Sequence, residues 1–124
     1  MKSRHGLLLL WVLQVSVSLY SGAARSGTYG AGGGSATGEG AVAIGESSKA
    51  YGQDSTAVGA TANATSTGSI AIGNASRSLE KGATSLGLAA MSSGSDAIAV
   101  GANSSAAATR ATAVGPNAVA AGTN

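Results

Sequence analysis

The chain has 124 residues and a formal net charge of +2, and it contains 20 Gly, one Pro, no Cys and no Phe. This length allows one domain, and the scarcity of large apolar and aromatic side chains excludes an ordinary globular enzyme core. The absence of cysteine from the sequence excludes disulfides and cysteine-based metal sites.

The distribution of charge gives no reason to expect a nucleic-acid partner. Lys2 and Arg4 lie near the N-terminus, and five acidic residues match the five basic residues that remain. Because electrostatic binding to nucleic acid needs a surplus of clustered Lys and Arg, we expect no such binding. The single histidine, His5, also lies near the N-terminus, which leaves the rest of the chain without the base of a serine hydrolase triad.

The N-terminal segment has the organisation of a secretion signal. A basic start is followed by the mostly apolar residues 7–20 and then by small residues at 21–24. The apolar stretch contains Gln and Ser and is shorter than a bilayer-spanning helix of about 20 residues. We therefore predict a signal peptide at residues 1–24, cleaved after Ala23 or Ala24, with a membrane helix as the alternative.

Residues 25–40 are rich in glycine and resemble the remainder of the chain only in part. Gly34, Ala36 and Gly38 match the repeat described below, whereas the residues before them do not. The GAGGG stretch at 30–34 lacks the Gly-Lys-Ser/Thr ending of a phosphate-binding loop. We expect a Gly-rich linker or a partial capping coil in this segment.

From residue 41 onwards the chain is an internal repeat with a 14-residue period. A large aliphatic residue followed by Gly recurs six times at this spacing without an insertion. These pairs are Ile44-Gly45, Val58-Gly59, Ile72-Gly73, Leu86-Gly87, Val100-Gly101 and Val114-Gly115. A fixed period predicts a solenoid, so we assign residues 41–124 to one domain of six coils.

Small and larger residues alternate within each unit, and a period of two indicates β-strands. In the first unit we expect strands near 41–44 and 48–51, with turns at Gly45 and at 52–54. Four columns of the repeat contain only Ala or Ser; the first unit contributes Ala41, Ala43, Ser48 and Ala50. Since two strands per 14-residue coil leave a thin interior, we predict that these small side chains fill it.

The large aliphatic residues must then point out of the coil. Side by side they form a continuous apolar stripe, which a soluble monomer rarely exposes, so we predict that the stripe is buried between chains. The residues assigned to this interface are Val42, Ile44, Val58, Ile70, Ile72, Leu86, Ile98, Val100 and Val114. Thr56, Thr84 and Thr112 interrupt one of the two columns on alternate units, and the sequence offers no reason for this alternation.

The second strand of each unit presents a mixed outward column, which we regard as a possible ligand face. The residues assigned to it are Lys49, Tyr51, Arg77, Leu79 and Met91. Leu79 and Met91 lie on adjacent coils and predict a small apolar spot, although an ordinary solvated face is the alternative. We expect no catalytic residue, no cofactor and no metal, since acidic residues are too sparse for a calcium-binding repeat.

The units SIAIGNASRS (69–78) and AIAVGANSSA (97–106) resemble the repeat S-V-A-I-G-x-x-S/A-x-A in the heads of YadA-like trimeric autotransporter adhesins. The resemblance covers residues 41–124. It implies an all-β fold, namely a left-handed parallel β-roll (a β-solenoid) of 14-residue coils, with three chains side by side. It also implies secretion by a Gram-negative bacterium and display at the cell surface, on the outer membrane.

For function, the resemblance implies a non-enzymatic adhesin head that binds host extracellular matrix proteins, such as collagen, fibronectin or laminin, or other cells as a homotrimer. The stalk and membrane anchor of the family have no counterpart in this sequence, so we expect no membrane anchor in this chain. A structural rod or spacer of a surface fibre, with no ligand of its own, is the alternative. An ice-binding surface is a third hypothesis, which Thr on only alternate units disfavours.

Overall fold

The computed structural model describes residues 27–122, and within this range the chain forms a parallel β-solenoid without helices. The predicted signal peptide lies outside the described residues. Each coil contains a strand of three residues and a strand of two residues, joined by tight turns. There are seven such coils among the described residues, one more than the six units of the repeat. The prediction of an all-β parallel solenoid with 14-residue coils is confirmed.

The strands form two parallel sheets of seven strands each. The first sheet contains β1 (Tyr29–Ala31), β3 (Val42–Ile44), β5 (Thr56–Val58), β7 (Ile70–Ile72), β9 (Thr84–Leu86), β11 (Ile98–Val100) and β13 (Thr112–Val114). The second sheet contains β2 (Ser35–Ala36), β4 (Lys49–Ala50), β6 (Asn63–Ala64), β8 (Arg77–Ser78), β10 (Met91–Ser92), β12 (Ser105–Ala106) and β14 (Val119–Ala120). Strands of successive coils pair in each sheet, so every column of the repeat becomes a straight ladder along the solenoid.

Small residues fill the narrow interior between the two sheets. In the coils from 41 to 110, every Ala and Ser of the four small columns is at most 1% exposed. The largest fully buried side chains in the described part of the chain are serines. The interior thus consists of methyl and hydroxymethyl groups, because two such short strands leave no space for a branched side chain.

Alanine and serine are not mixed evenly along this interior. Buried alanines form one cluster between residues 36 and 71 and another between residues 97 and 113. In the middle, the hydroxyls of Ser78, Ser85 and Ser92 each donate a hydrogen bond to a main-chain carbonyl of the opposite sheet. These bonds connect the two sheets and satisfy groups that would otherwise be buried without a partner.

Each of the first six coils closes through two turns that contain a residue in the left-handed region, and the first turn of the seventh coil contains one as well. In the first turn of coil 41–54, the amide of Ser48 donates to the carbonyl of Gly45 at 3.1 Å, and Ser47 has a φ of 57°. The second turn of that coil has Asp54 at a φ of 54°. A positive φ at the third position is characteristic of type II turns, which reverse the chain over a very short distance.

The glycine that follows each large aliphatic residue is required by its backbone angle and, in all but the last of the six units, also by lack of space. Gly59 has a φ of 125°, which other residues rarely adopt. A Cβ atom on Gly59 would also lie 2.7 Å from the carbonyl carbon of Gly73 on the next coil. The aliphatic-Gly pair therefore recurs because the strands of the first sheet from β3 to β11 each end against the backbone of the following coil.

The first coil, residues 28–40, has 13 residues and is one residue shorter than the others in its first half. In the second sheet, Ser35 of β2 pairs with Lys49, which is one full 14-residue period further along the chain. In the first sheet, Tyr29 of β1 pairs with Val42 rather than with Ala43, so the offset there is one position less than the period. The missing residue falls in the glycine-rich turn between the two strands. This shift explains why residues 27–40 match the repeat only in their second half.

Candidate functional site

The outward side of the first sheet forms a continuous apolar surface, which we name the aliphatic face. In each strand the central small residue points inward and its two neighbours point outward. The outward residues are Val42, Ile44, Thr56, Val58, Ile70, Ile72, Thr84, Leu86, Ile98, Val100, Thr112 and Val114. This set includes all nine residues that the sequence assigns to a chain interface, so the fold places them on one side of the solenoid.

The aliphatic face is substantially open to solvent in the single chain. Ile44, Ile72 and Leu86 are 39%, 37% and 45% exposed, and each lies in the straight ladder of the sheet with its equivalents. Successive strands are about 4.8 Å apart, so the six strands from β3 to β13 extend this surface over about 24 Å. An apolar surface of this length is typical of a protein contact.

Threonine occupies every second position of one column of the aliphatic face. Thr56 pairs directly with Val42 on one side and with Ile70 on the other. The hydroxyl of Thr56 makes no hydrogen bond with another described residue. The alternation therefore interrupts the apolar column with threonine hydroxyls, and that of Thr56 has no hydrogen-bond partner among the described residues.

The outward side of the second sheet, which we name the mixed face, differs in chemistry from coil to coil. One column of this face contains Ser35, Lys49, Asn63, Arg77, Met91, Ser105 and Val119, and the neighbouring column contains Thr37, Tyr51, Thr65, Leu79, Ser93, Ala107 and Ala121. Most of these side chains are short or polar. The mixed face thus has no continuous apolar surface comparable to the aliphatic face.

The five residues proposed for a ligand face all lie on the mixed face, but their exposure differs. Lys49, Tyr51 and Arg77 are exposed, whereas Leu79 and Met91 are half-buried. Met91 lies beside Arg77 in the parallel register of β8 and β10. The expected apolar spot is therefore partly covered, and the exposed groups among these five residues are two cations and one aromatic ring.

Asn63 is a further residue of this surface, which the sequence prediction did not include among the possible ligand residues. It lies between Lys49 and Arg77 in the register of β4, β6 and β8. Its side-chain Oδ1 is buried and has no hydrogen-bond partner. The signal in the sequence was its position in the column, between the two basic residues.

The mixed face contains no acidic residue. The five acidic residues of the chain all lie in the turns between strands; they are Glu39, Glu46, Asp54, Glu80 and Asp96. Neither Lys49 nor Arg77 forms an ion pair with a described residue. The charge of the chain is nearly balanced as a whole, yet the cations of this face and the anions occupy different parts of the coil.

Two other kinds of site are not found among residues 27–122. No group of three or more metal-ligating His, Cys, Asp or Glu side chains comes together in this range. The described range also contains no helix of the length and apolarity that crossing a membrane requires. The two outward faces are therefore the candidate functional surfaces of the described chain.

Comparison with known families identifies the repeat. A family model described as the YadA head domain repeat, which spans two copies, matches residues 36–62, 50–76, 78–104, 92–118 and 106–124. Together these overlapping matches cover residues 36–76 and 78–124, which is more than half of the chain. No curated protein matches the sequence.

Proposed function

This chain belongs to the YadA head domain family, whose members are adhesin-type domains of bacterial surface proteins, and we propose that it is the head of a homotrimeric adhesin that binds host extracellular matrix proteins or cells. The family is non-enzymatic. The observation that carries the proposal is the exposed aliphatic face, because it gives the chain a reason to associate with copies of itself. The mixed face then remains outside and is available to a ligand.

The aliphatic face supports assembly through its length and its regularity. Covering the exposed parts of these side chains stabilises the assembly by about 25 cal/mol per Å² of apolar surface. Since each chain presents the same straight ladder, identical faces can meet around an axis parallel to the solenoid, as in closed cyclic oligomers. The number three comes from the family, and the nine aliphatic residues of the predicted interface form the contact.

The mixed face supports a binding role through its rigidity and its position. Each of its strands is hydrogen-bonded to both neighbouring coils over most of the solenoid. Solenoids present such surfaces as extended platforms, on which contact with a fibrous partner is distributed over several repeats. Collagen, fibronectin and laminin are the matrix proteins that we propose as partners, at the surface of the secreting bacterium.

A solid-phase assay on the purified protein tests both parts of this function. Sedimentation should give the mass of three chains, and the protein should bind saturably to at least one of immobilised collagen, fibronectin and laminin, with albumin as the control surface. A stable, folded single subunit would contradict the assembly. A trimer that binds none of the matrix proteins or host cells would contradict the adhesive role.

A structural spacer is the second candidate, and the short side chains of the mixed face favour it. In the column that begins at Ser35, three of the seven residues are Ser or Asn, which offer little surface to a partner. A spacer should form the same trimer and the same rod without a ligand. Binding that maps entirely to another domain of the full-length protein would favour this role.

A further inference from the structure

We propose that the mixed face binds linear acidic polysaccharides, which carry sulfate or carboxylate groups, through the row Lys49, Asn63 and Arg77. The inference rests on the proposed function in one respect, namely that the mixed face remains outside when the chains assemble. It deepens that function because it names the chemical class of the ligand. Three independent features of this surface support it: its geometry, its charge and its unsatisfied amide.

The row is straight and parallel to the axis of the solenoid. Lys49 pairs with Asn63, and Asn63 pairs with Arg77, in the parallel register of the second sheet. With strands about 4.8 Å apart, the main-chain positions of the two cations are about 10 Å apart along the axis. A linear polymer with regularly spaced anionic groups can lie along this row and contact both cations at once.

The charge of the mixed face favours an anionic ligand. Lys49 and Arg77 are exposed, and neither has an ion pair with a described residue that a ligand would need to displace. The acidic residues lie in the turns, so none of them stands in either column of this face. The planar guanidinium of Arg77 can donate two parallel hydrogen bonds to a sulfate or carboxylate group, whereas Lys49 supplies a compact positive charge.

Asn63 favours a ligand that also carries hydroxyl groups. Its Oδ1 is buried and accepts no hydrogen bond, and a buried acceptor without a donor destabilises a structure. Lys49 and Arg77 flank this amide in register, so a ligand that spans both cations passes over Asn63. A sugar hydroxyl can then donate to Oδ1, which a phosphate or a sulfate group cannot do.

Tyr51 provides an apolar contact next to the row. It follows β4, points outward on the same side as Lys49, and is 46% exposed. The face of an aromatic ring carries partial negative charge, which suits the C–H groups on one side of a sugar ring. Cations, an acceptor and an aromatic ring in one patch fit a charged sugar polymer better than a purely anionic polymer.

Nucleic acid is the competing polyanion, and the number of cations disfavours it. Proteins that bind nucleic acid neutralise several phosphates at once, whereas each chain here presents two cations on the mixed face. The acceptor of Asn63 also has no donor to meet on a phosphodiester backbone. We therefore expect weaker binding to DNA than to an acidic polysaccharide, and the experiment compares the two.

The test measures binding of the purified protein to immobilised heparin, hyaluronan and neutral dextran at low and at physiological salt. We expect binding to heparin that weakens as salt rises, because salt screens exposed charges, and no binding to dextran. The double variant Lys49→Gln with Arg77→Gln should bind heparin at least about tenfold more weakly, because two charge contacts are lost. Circular dichroism and sedimentation should show that the variant remains folded and assembled.

Two further variants separate the row from a general charge effect. Lys81→Gln removes one positive charge from the turn of the coil that contains Arg77, so it should leave heparin affinity unchanged while Arg77→Gln weakens it. Asn63→Ala should weaken binding several-fold without changing its salt dependence, since no charge is removed. Equal losses for Lys81→Gln and Arg77→Gln would overturn the proposal, and so would an unchanged affinity for the double variant.

The remaining outcomes distinguish this inference from the proposed function. If the protein does not bind heparin but binds collagen, fibronectin or laminin from which polysaccharide chains have been removed, the inference fails and the adhesive role stands. If heparin binding depends on the row while these proteins are not bound, the inference stands and the matrix-protein role fails. Binding to duplex DNA as tight as binding to heparin would overturn the assignment to polysaccharides.

Discussion

The aliphatic face and the mixed face are built on the same coils, yet they differ in how they repeat. The aliphatic face carries only aliphatic side chains and threonine from β3 to β13, whereas the mixed face carries a cation, an amide, a second cation and a thioether on four successive coils. A surface that meets an identical copy along its whole length needs a uniform composition. A surface that meets a ligand over a few coils needs residues that occur only there.

The strands under the two faces also differ in length, which changes the number of outward side chains that each strand contributes. The first sheet has three residues per strand with two of them outward, and the second sheet has two residues per strand with one of them outward. The aliphatic face therefore carries two adjacent columns within its strands. The denser apolar surface lies where we propose that the chains meet.

The largest expected effect follows from a charge on the aliphatic face. Ile72→Asp places three carboxylates in the proposed trimer contact, and an unpaired buried charge costs about 3–5 kcal/mol, so we expect dissociation and a large loss of thermal stability. Sedimentation and thermal unfolding measure both effects. Arg77→Asp in the same coil is the control on the mixed face and should leave the trimer intact. Equal dissociation of both variants would remove the distinction between the faces.

A second, smaller effect should follow from a larger residue in the interior that both faces share. Ala71 is fully buried, and Ala71→Leu should destabilise each chain by about 3 kcal/mol, at the upper end of the range for overpacked cores. Ala71→Ser is the matched control, since Ser85 occupies the next position of the same column and donates to a main-chain carbonyl. Denaturant unfolding measures the difference, and an equally stable Leu variant would show that the interior is wider than inferred.

A third change makes the aliphatic face more uniform. Thr56→Val replaces a hydroxyl that has no partner among the described residues with a methyl group, and it should stabilise the assembly by about 1 kcal/mol per chain. A rise in the midpoint of thermal unfolding checks this. A fall in that midpoint would mean that the threonine hydroxyls bond across the interface, which would also explain their alternation.

The smallest expected effect concerns a turn that joins the two faces. Thr61 has a φ of 57°, which is unfavourable for a β-branched residue and better tolerated by Asn. Thr61→Asn should therefore stabilise the chain by about 0.5–1 kcal/mol. Asn103 has the equivalent position with the same φ of 57°, and Asn103→Thr should have the opposite effect on the free energy of unfolding. Changes of the same sign would contradict the role of backbone strain.

The regular coils were predictable because their pattern is complete within one unit. Alternation between small and large residues indicated the strands, and the four Ala/Ser columns indicated the interior, which the burial of Ala43 and Ser48 bears out. The first coil was predicted only as a linker or a partial capping coil, since its turn is one residue shorter. A search with a fixed period does not detect a coil that lacks one residue. In the structure, β1 still pairs with β3 because the glycine-rich turn between β1 and β2 is one residue shorter.

The candidate surfaces were predictable only in part. The columns indicated which residues share a face, and the structure places Lys49, Tyr51 and Arg77 there as exposed side chains. They did not indicate that Leu79 and Met91 are half-buried or that the amide oxygen of Asn63 is without a partner. The exposure of these side chains depends on contacts with the neighbouring coils, and the pattern of residue types along the chain does not describe those contacts.

The amino-acid sequence alone establishes the 14-residue period, the two strands of each coil and the small-residue interior, because these depend on residue size and on spacing along the chain. Only the tertiary structure decides the left-handed backbone at positions such as Thr61, the cross-sheet hydrogen bonds of Ser78 and Ser85, and the row from Lys49 to Arg77. These features arise when coils close and stack, because closure brings the two strands of one coil against each other and stacking brings together groups of different coils, up to two full repeats apart in the chain.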